Sequence, residues 1–212
     1  MKKKWKQAKK SSPLKGSNLW GMLIFGILLL IDMVTKLFAD AYFSQPDAPS
    51  QVDIIPGWIS LRITYNRGIA YGMGSDSPTA AKIAVIAATG VLMLALAIMY
   101  FKLDKNRVWL RMALVFVVAG GLGNLIDRVY YRVWDADALY GVRDMVDLSR
   151  FGFAVCNFAD FFISGGAIAL VFALLFFDKD ALFPTKKYQA LAKGIGVADV
   201  EFAEEAEEEI HG

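Results

Sequence analysis

Histidine and cysteine occur once each in 212 residues, and that scarcity removes most of the familiar hydrolytic chemistries. The sole histidine, His211, follows a terminal run of glutamates, so no Ser-His or Cys-His arrangement is available to activate a nucleophile. H-E-x-x-H spacing is absent, and a single Cys156 builds neither an intrachain disulfide nor a thiolate metal cluster. A buried, inert thiol is the expectation for Cys156, and no metal or cofactor is expected. Charge is missing too, over long distances: it gathers at the ends and in a few short segments instead of scattering as on a water-soluble surface.

What fills the chain is apolar, 56% of all residues. Four stretches reach the roughly 20 residues a helix needs to cross a hydrocarbon core: about Leu19–Phe38, Ile83–Phe101, Val108–Ile126 and Phe153–Phe177. The expected fold is an all-α polytopic membrane protein with four transmembrane helices. Residues 1–18 carry seven lysines and no acid, the 102–111 connection four basic residues, and the tail after Phe177 four more. Loops 39–79 and 129–152 hold five between them. The excess of cations puts both termini and the 102–111 connection in the cytoplasm, and the two poorer loops on the outer face. The organisation is then a basic arm (1–18), a membrane domain (19–177) and an acidic tail (178–212) expected to be disordered. The arm reads as a topology determinant beside a first span, so no nucleic-acid partner is expected. The run Leu19–Ile31 followed by Ala39-Asp-Ala41 imitates a cleavable secretory signal. Asp32 and Lys36, lying between the two, favour its retention as a first helix.

Within loop 39–79, Trp58, Ser60, Arg62 and Thr64 alternate with Ile59, Leu61, Ile63 and Tyr65. That period of two predicts strands and a small extracytoplasmic β-sheet at the membrane surface, able in principle to receive an extended peptide. Ala119-Gly-Gly-Leu-Gly123 predicts close helix packing. Polar residues then mark the outer helix ends, where each charge asks for a partner or a purpose. Asp32 and Lys36 share a face of helix 1 in the order that suits an i,i+4 ion pair. Asn124 and Arg128 share a face at the end of helix 3 with Asp127 beside them, and Asn157 and Asp160 share one at the start of helix 4. The segment Val142-Arg-Asp-Met-Val-Asp-Leu148 reads as a polar loop at the same level, with Asp144 and Asp147 in it.

Carboxylates converging with amides and an arginine at a water boundary suit acid-base chemistry, because crowded acids separate into one protonated and one ionised group. With histidine and metals set aside, two aspartates around an attacking water are the economical way to hydrolyse an amide. A small ion-coupled carrier with a proton relay, or a scaffold whose acids only pair with arginines, are the other readings. A carrier ordinarily holds its acids near mid-membrane; these gather at one edge.

Five segments in order resemble a known family. Asp32-Met-Val-Thr-Lys36 resembles its D-x-x-x-K segment, Asn66-Arg-Gly68-Ile-Ala-Tyr71 its N-x-G-x-A-F, Gly123-Asn-Leu-Ile-Asp-Arg128 its G-N-x-x-D-R and Cys156-Asn-Phe-Ala-Asp160 its F-N-x-A-D, with Val142-Arg-Asp144 in place of its V-V-D. The family is lipoprotein signal peptidase, or signal peptidase II, and the match covers about residues 19–177. The resemblance implies a bacterial inner-membrane aspartic peptidase that cuts prolipoproteins before the lipid-modified cysteine, with no cofactor and with its site at the outer face. It implies Asp144 and Asp160 as the catalytic pair and Asp147 as a neighbour. Asp127 and Arg128 would orient substrate and hold the helix ends, Arg128 by pairing with acids. Asn66, Asn124 and Asn157 would hydrogen-bond the peptide or the pair, Gly68 belongs to the Asn66 segment, and Asp32 with Lys36 would brace helix 1. The sheet would cradle a substrate whose acyl chains stay in membrane lipid. Two features depart from the family pattern: a long Val129–Tyr140 segment, and Arg143 where an apolar residue is commoner.

Overall fold

The computed structural model describes residues 18–68, 74, 77–135, 137–178, 180–185 and 188–189. Nearly all of the basic arm, most of the acidic tail and residues 69–73, which include the end of the Asn66–Tyr71 segment, lie outside them. Among the described residues, four helices, α1 (Asn18–Phe43), α2 (Thr79–Lys102), α3 (Val108–Tyr130) and α4 (Phe158–Leu175), are long and apolar enough to cross a membrane. Four short strands, β1 (Val52–Ile55), β2 (Ile59–Asn66), β3 (Val142–Asp147) and β4 (Val155–Cys156), form one antiparallel sheet in the order β1-β2-β3-β4.

Helix α3 is the centre of the bundle. Its Ala113, Leu114, Val118 and Ala119 are buried, whereas Leu23, Leu30 and Phe38 on α1, Val91 and Leu94 on α2, and Val171 and Leu174 on α4 face outward. A helix apolar on its outer face is stable only against lipid, which needs every backbone group paired within the helix. Close approach of α3 and α4 depends on glycine. A Cβ at Gly120 would run into the Ala159 carbonyl oxygen and the Ile163 side chain, and one at Gly123 into the Asp32 carboxylate. Small residues let helices meet where moving a side chain out of lipid gains little. Gly120→Ala is therefore expected to push α4 off α3 at a cost of about 1–3 kcal/mol. Thermal unfolding in detergent should report it as a fall of about 2–10 °C in Tm.

The sheet closes one end of the bundle, over the C-terminal ends of α1 and α3. Tyr65 on β2 donates a hydrogen bond from its hydroxyl to Asp40 near the end of α1, and the Arg143 amide on β3 donates to Asp127 in the last turns of α3. Strand β2 carries the expected alternation, but both its faces are half-buried.

Segment 142–148 is not the wet loop that its charges suggested. It is an inner strand, paired with β2 at Tyr65↔Arg143 and Thr64↔Asp144 and with β4 at Val146↔Cys156, and Arg143, Asp144 and Asp147 are all buried. Charged residues on both of its faces hide the period of two. Helix α4 starts five residues later than the apolar run suggested, because Val155 and Cys156 pair with β3 and Asn157 caps the helix. Helix α1 continues to Phe43, so Ala39-Asp40-Ala41 is helical.

Candidate active site

The start of α4 is built around Asn157. Its side-chain oxygen accepts from the Asp160 amide at 3.1 Å, and the Asp160 Oδ2 accepts from the Asn157 amide at 3.0 Å. This reciprocal capping box satisfies two of the amides that a helix start leaves unpaired. It also turns Asp160 toward the cavity with both oxygens already accepting, since Oδ1 takes a bond from Asn124 Nδ2 at 2.8 Å. A carboxylate in the first turn of a helix sits where the backbone dipole favours negative charge.

Asn157 reaches the other way as well: its Nδ2 donates to Asp144 Oδ1 at 2.6 Å and to Asn124 Oδ1 at 3.0 Å. Asn66, whose Oδ1 accepts from the Gly68 amide at 2.9 Å, also hydrogen-bonds Asp144. Asp144 and Asp160 both line one cavity of about 470 Å³, whose wall also includes the polar Asn66, Asn124 and Arg128 and the apolar Phe153, Phe161 and Ile163. Three asparagines thus bridge or flank two carboxyl groups that arrive from β3 and α4.

Beneath the asparagines lies a buried charge cluster. Lys36 Nζ is 2.8 Å from Asp32 and 3.6 Å from Asp127, and it donates to Asn124 Oδ1 at 3.0 Å. Asp32 accepts the Ala159 amide at 2.9 Å, which fastens α1 to the first turn of α4. Arg143 donates to Asp127 from Nη2 at 2.6 Å and from Nε at 3.3 Å. The hydrogen bonds of Arg128 include the carbonyls of Asn124 at 3.3 Å and Gly68 at 3.1 Å, and its charge also faces Asp160, Asp144 and Asp127. Arg143, through its side-chain bonds to Asp127, makes a bidentate pair with an acid. The signal for it in the sequence was Arg143 itself, a cation directly after Val142 at a place where an apolar residue is commoner, which asks for an acid opposite once the segment is buried.

Burial, followed by the nearby negative charge of Asp160, pushes the Asp144 carboxyl up to about 7, against the pull of its bonds to Asn157 and Asn66. Asp147 moves the other way. It accepts the Ser149 amide at 2.9 Å and pairs with Arg62 at 2.6 Å, and these hold it below its ordinary value. It lines a separate polar cleft with Trp58 and Arg150. Three residues along a strand is an odd number, so Asp144 and Asp147 point to opposite faces. Cys156 is half-buried and not fully enclosed: it lines the cavity, and its thiol, donating to the Val146 carbonyl at 3.6 Å, is pushed up to about 12 by burial and by the neighbouring aspartates. A thiol held protonated is a poor nucleophile.

The raised value at Asp144 has a stability consequence. The folded chain keeps that proton to about pH 7, while an unfolded carboxyl releases it near pH 4. The folded state therefore binds more protons between those limits, and stability falls as pH rises through them. Asp144→Asn keeps the bond from Asn157 without an ionisable proton, so its Tm relative to wild type should climb from pH 5 to pH 8. A constant difference across that range would contradict the assignment.

Four apolar spans, a sheet over one end and paired carboxyl groups in a cavity at that end define a polytopic membrane protein with an enzyme-like site. Two solved structures, each described as a bacterial membrane enzyme, share its architecture: one with 27% identity, TM-score 0.59 and coverage of 74% of this chain and 94% of that one, the other with 26% identity and TM-score 0.59 over 74% and 88%. Residues 24–176 match the profile of signal peptidase (SPase) II, and the chain belongs to that family of membrane peptidases. Its relatives include lipoprotein signal peptidases of Fusobacterium nucleatum, 28% identical over 77% of this chain and 91% of the relative, and Ectopseudomonas mendocina, 30% identical over 76% and 90%. That of Bifidobacterium longum subsp. infantis is 33% identical over 69% and 73%.

Proposed function

We propose that this chain is an aspartic endopeptidase that removes the signal peptide from prolipoproteins by cutting before the lipid-modified cysteine. The observation that carries the reading is the convergence of Asp144 and Asp160 on one cavity, joined through Asn157 and Asn124. Asp160, with both oxygens accepting, takes a proton from water as the water oxygen attacks the scissile carbonyl carbon. Asp144, which holds its proton up to about pH 7, gives that proton to the carbonyl oxygen. Collapse of the tetrahedral intermediate breaks the C–N bond: Asp160 passes its proton to the leaving nitrogen, and Asp144 recovers one from the hydroxyl. The released pieces are the signal peptide acid and the amine of the modified cysteine. Arg128, close to both acids, limits their mutual repulsion before and after proton transfer.

Lys102, the last residue of α2, and Lys105 and Arg107 between α2 and α3 lie at the opposite end of the bundle from the sheet. By the distribution of cations that end is cytoplasmic, so the site opens at the outer face of a bacterial inner membrane and both termini are inside. The apolar side chains in the cavity wall, Phe153, Phe161 and Ile163 among them, suit a substrate whose acyl chains remain in lipid. A carrier reading fits less well, because its acids would need access from both sides, and these are covered by a sheet at one end. The deciding experiment supplies a diacylglyceryl-modified prolipoprotein to the purified protein and follows signal-peptide release by mass spectrometry. Release of the peptide supports the reading; an intact substrate refutes it.

A further inference from the structure

We propose that Arg143 is a positioning residue of this site: its fork on Asp127 locks strand β3 to the last turns of α3 and so sets where the Asp144 carboxyl stands relative to Asp160. This inference rests on the aspartic reading above.

Adjacent strand residues point to opposite faces, and Arg143 accordingly turns away from the cavity that Asp144 lines. It gives one carboxylate three bonds: Nη2 to Asp127 Oδ1 at 2.6 Å, Nε to Oδ2 at 3.3 Å and the backbone amide to Oδ2 at 3.1 Å. Both residues are buried. The need for such a clamp is visible in the sheet. Strand β4 pairs with Val146 and Asp147, and among the described residues no strand pairs with the first half of β3 on that side. The ladder to β2 is irregular between Leu61 and Thr64, immediately before the Thr64↔Asp144 pair. Asp127 supplies the missing fixed point. It lies three residues from Asn124, whose amide holds Asp160, so the path from one acid to the other passes through Asp144, Arg143, Asp127, Asn124 and Asp160 with no loop in it.

Charge gives a second reason. Asp32, Lys36, Asp127 and Arg143 alternate in sign in one buried cluster, and removing Arg143 leaves an excess of negative charge next to the acid pair. Lysine would restore the charge without the planar fork that fits a carboxylate with two parallel bonds. The groups facing Asp144 are Asp160 and Asn157 from α4, Asn66 from β2, Lys36 from α1, Arg128 from α3 and Cys156 from β4.

The test compares wild type, Arg143→Lys, Arg143→Met and Asp144→Asn in prolipoprotein cleavage, with rates expressed per folded enzyme and measured across pH. Arg143→Met is expected to lower kcat about 10- to 100-fold through misplacement of the acid with KM little changed. Its alkaline limb should move up by about half a pH unit or more, as Asp144 meets more negative charge. Arg143→Lys should bring the limb back to its wild-type place with an intermediate kcat. Wild-type kcat in both variants, or a fall in the methionine variant with the limb unmoved, overturns the proposal. If Arg143→Met does not fold, Arg143→Lys decides alone, and an unchanged kcat is the overturning result. Continued cleavage by Asp144→Asn would instead defeat the aspartic reading itself, whatever the arginine variants do.

Discussion

Asp144→Asn and Asp160→Asn are each expected to reduce signal-peptide release by roughly a thousandfold or more, while Asp147→Asn stays close to wild type. General acid-base groups contribute about 10²–10⁴-fold each, and here one acid delivers the proton that the other cannot. Asparagine at 144 preserves the acceptor for Asn157 Nδ2, so lost activity would reflect the missing proton and not a collapsed site. Asp147 serves as a built-in control. It lies on the same strand, but its carboxylate caps Ser149 and pairs with Arg62 on the other face. A measurement in which Asp147→Asn is as inactive as Asp144→Asn, with all variants folded, would sink the assignment of the pair.

The second large effect is expected at Lys36. This side chain is wholly buried and joins Asp32, Asp127 and Asn124. Lys36→Met keeps most of the volume and removes the charge, leaving two aspartates facing each other without their shared cation. Breaking one partner of a buried ion cluster costs about 3–5 kcal/mol, so the variant should unfold at a much lower temperature in detergent. It should also cleave poorly, because Asn124 loses the bond that orients it toward Asp160. Neutralising an acid along with the lysine, in Asp32→Asn/Lys36→Met, should recover part of the lost stability, since a buried pair replaced as a unit is far less costly than one cut in half. A Lys36→Met protein as stable as wild type would show that the cluster is held by other means.

The four spans were legible because lipid imposes a rule on composition: about 20 apolar residues in succession, whatever their order. Their ends were less so. The apolar run through Phe153 gave no sign that Val155 and Cys156 would leave the helix to pair with β3. Strand β2 announced itself by alternation, whereas β3 did not. Arg143 points into the buried cluster and Asp144 into the cavity, so polar residues occupy both faces and the hydrophobic period disappears. Cys156 looked like an inert core thiol, and its place on the cavity wall depends on a two-residue strand too short to have a signature.

Sequence by itself determined the membrane class, the number of spans, the charge asymmetry from which their orientation is proposed and the motif order that points to the family, because each is a property of local composition or spacing along the chain. Only the tertiary structure decided which acids share a cavity, that Asp147 faces away from it, and that Arg143 grips Asp127. Those relations join residues from α3, β3 and α4, and their distances arise from helix packing and strand register, which no single segment encodes.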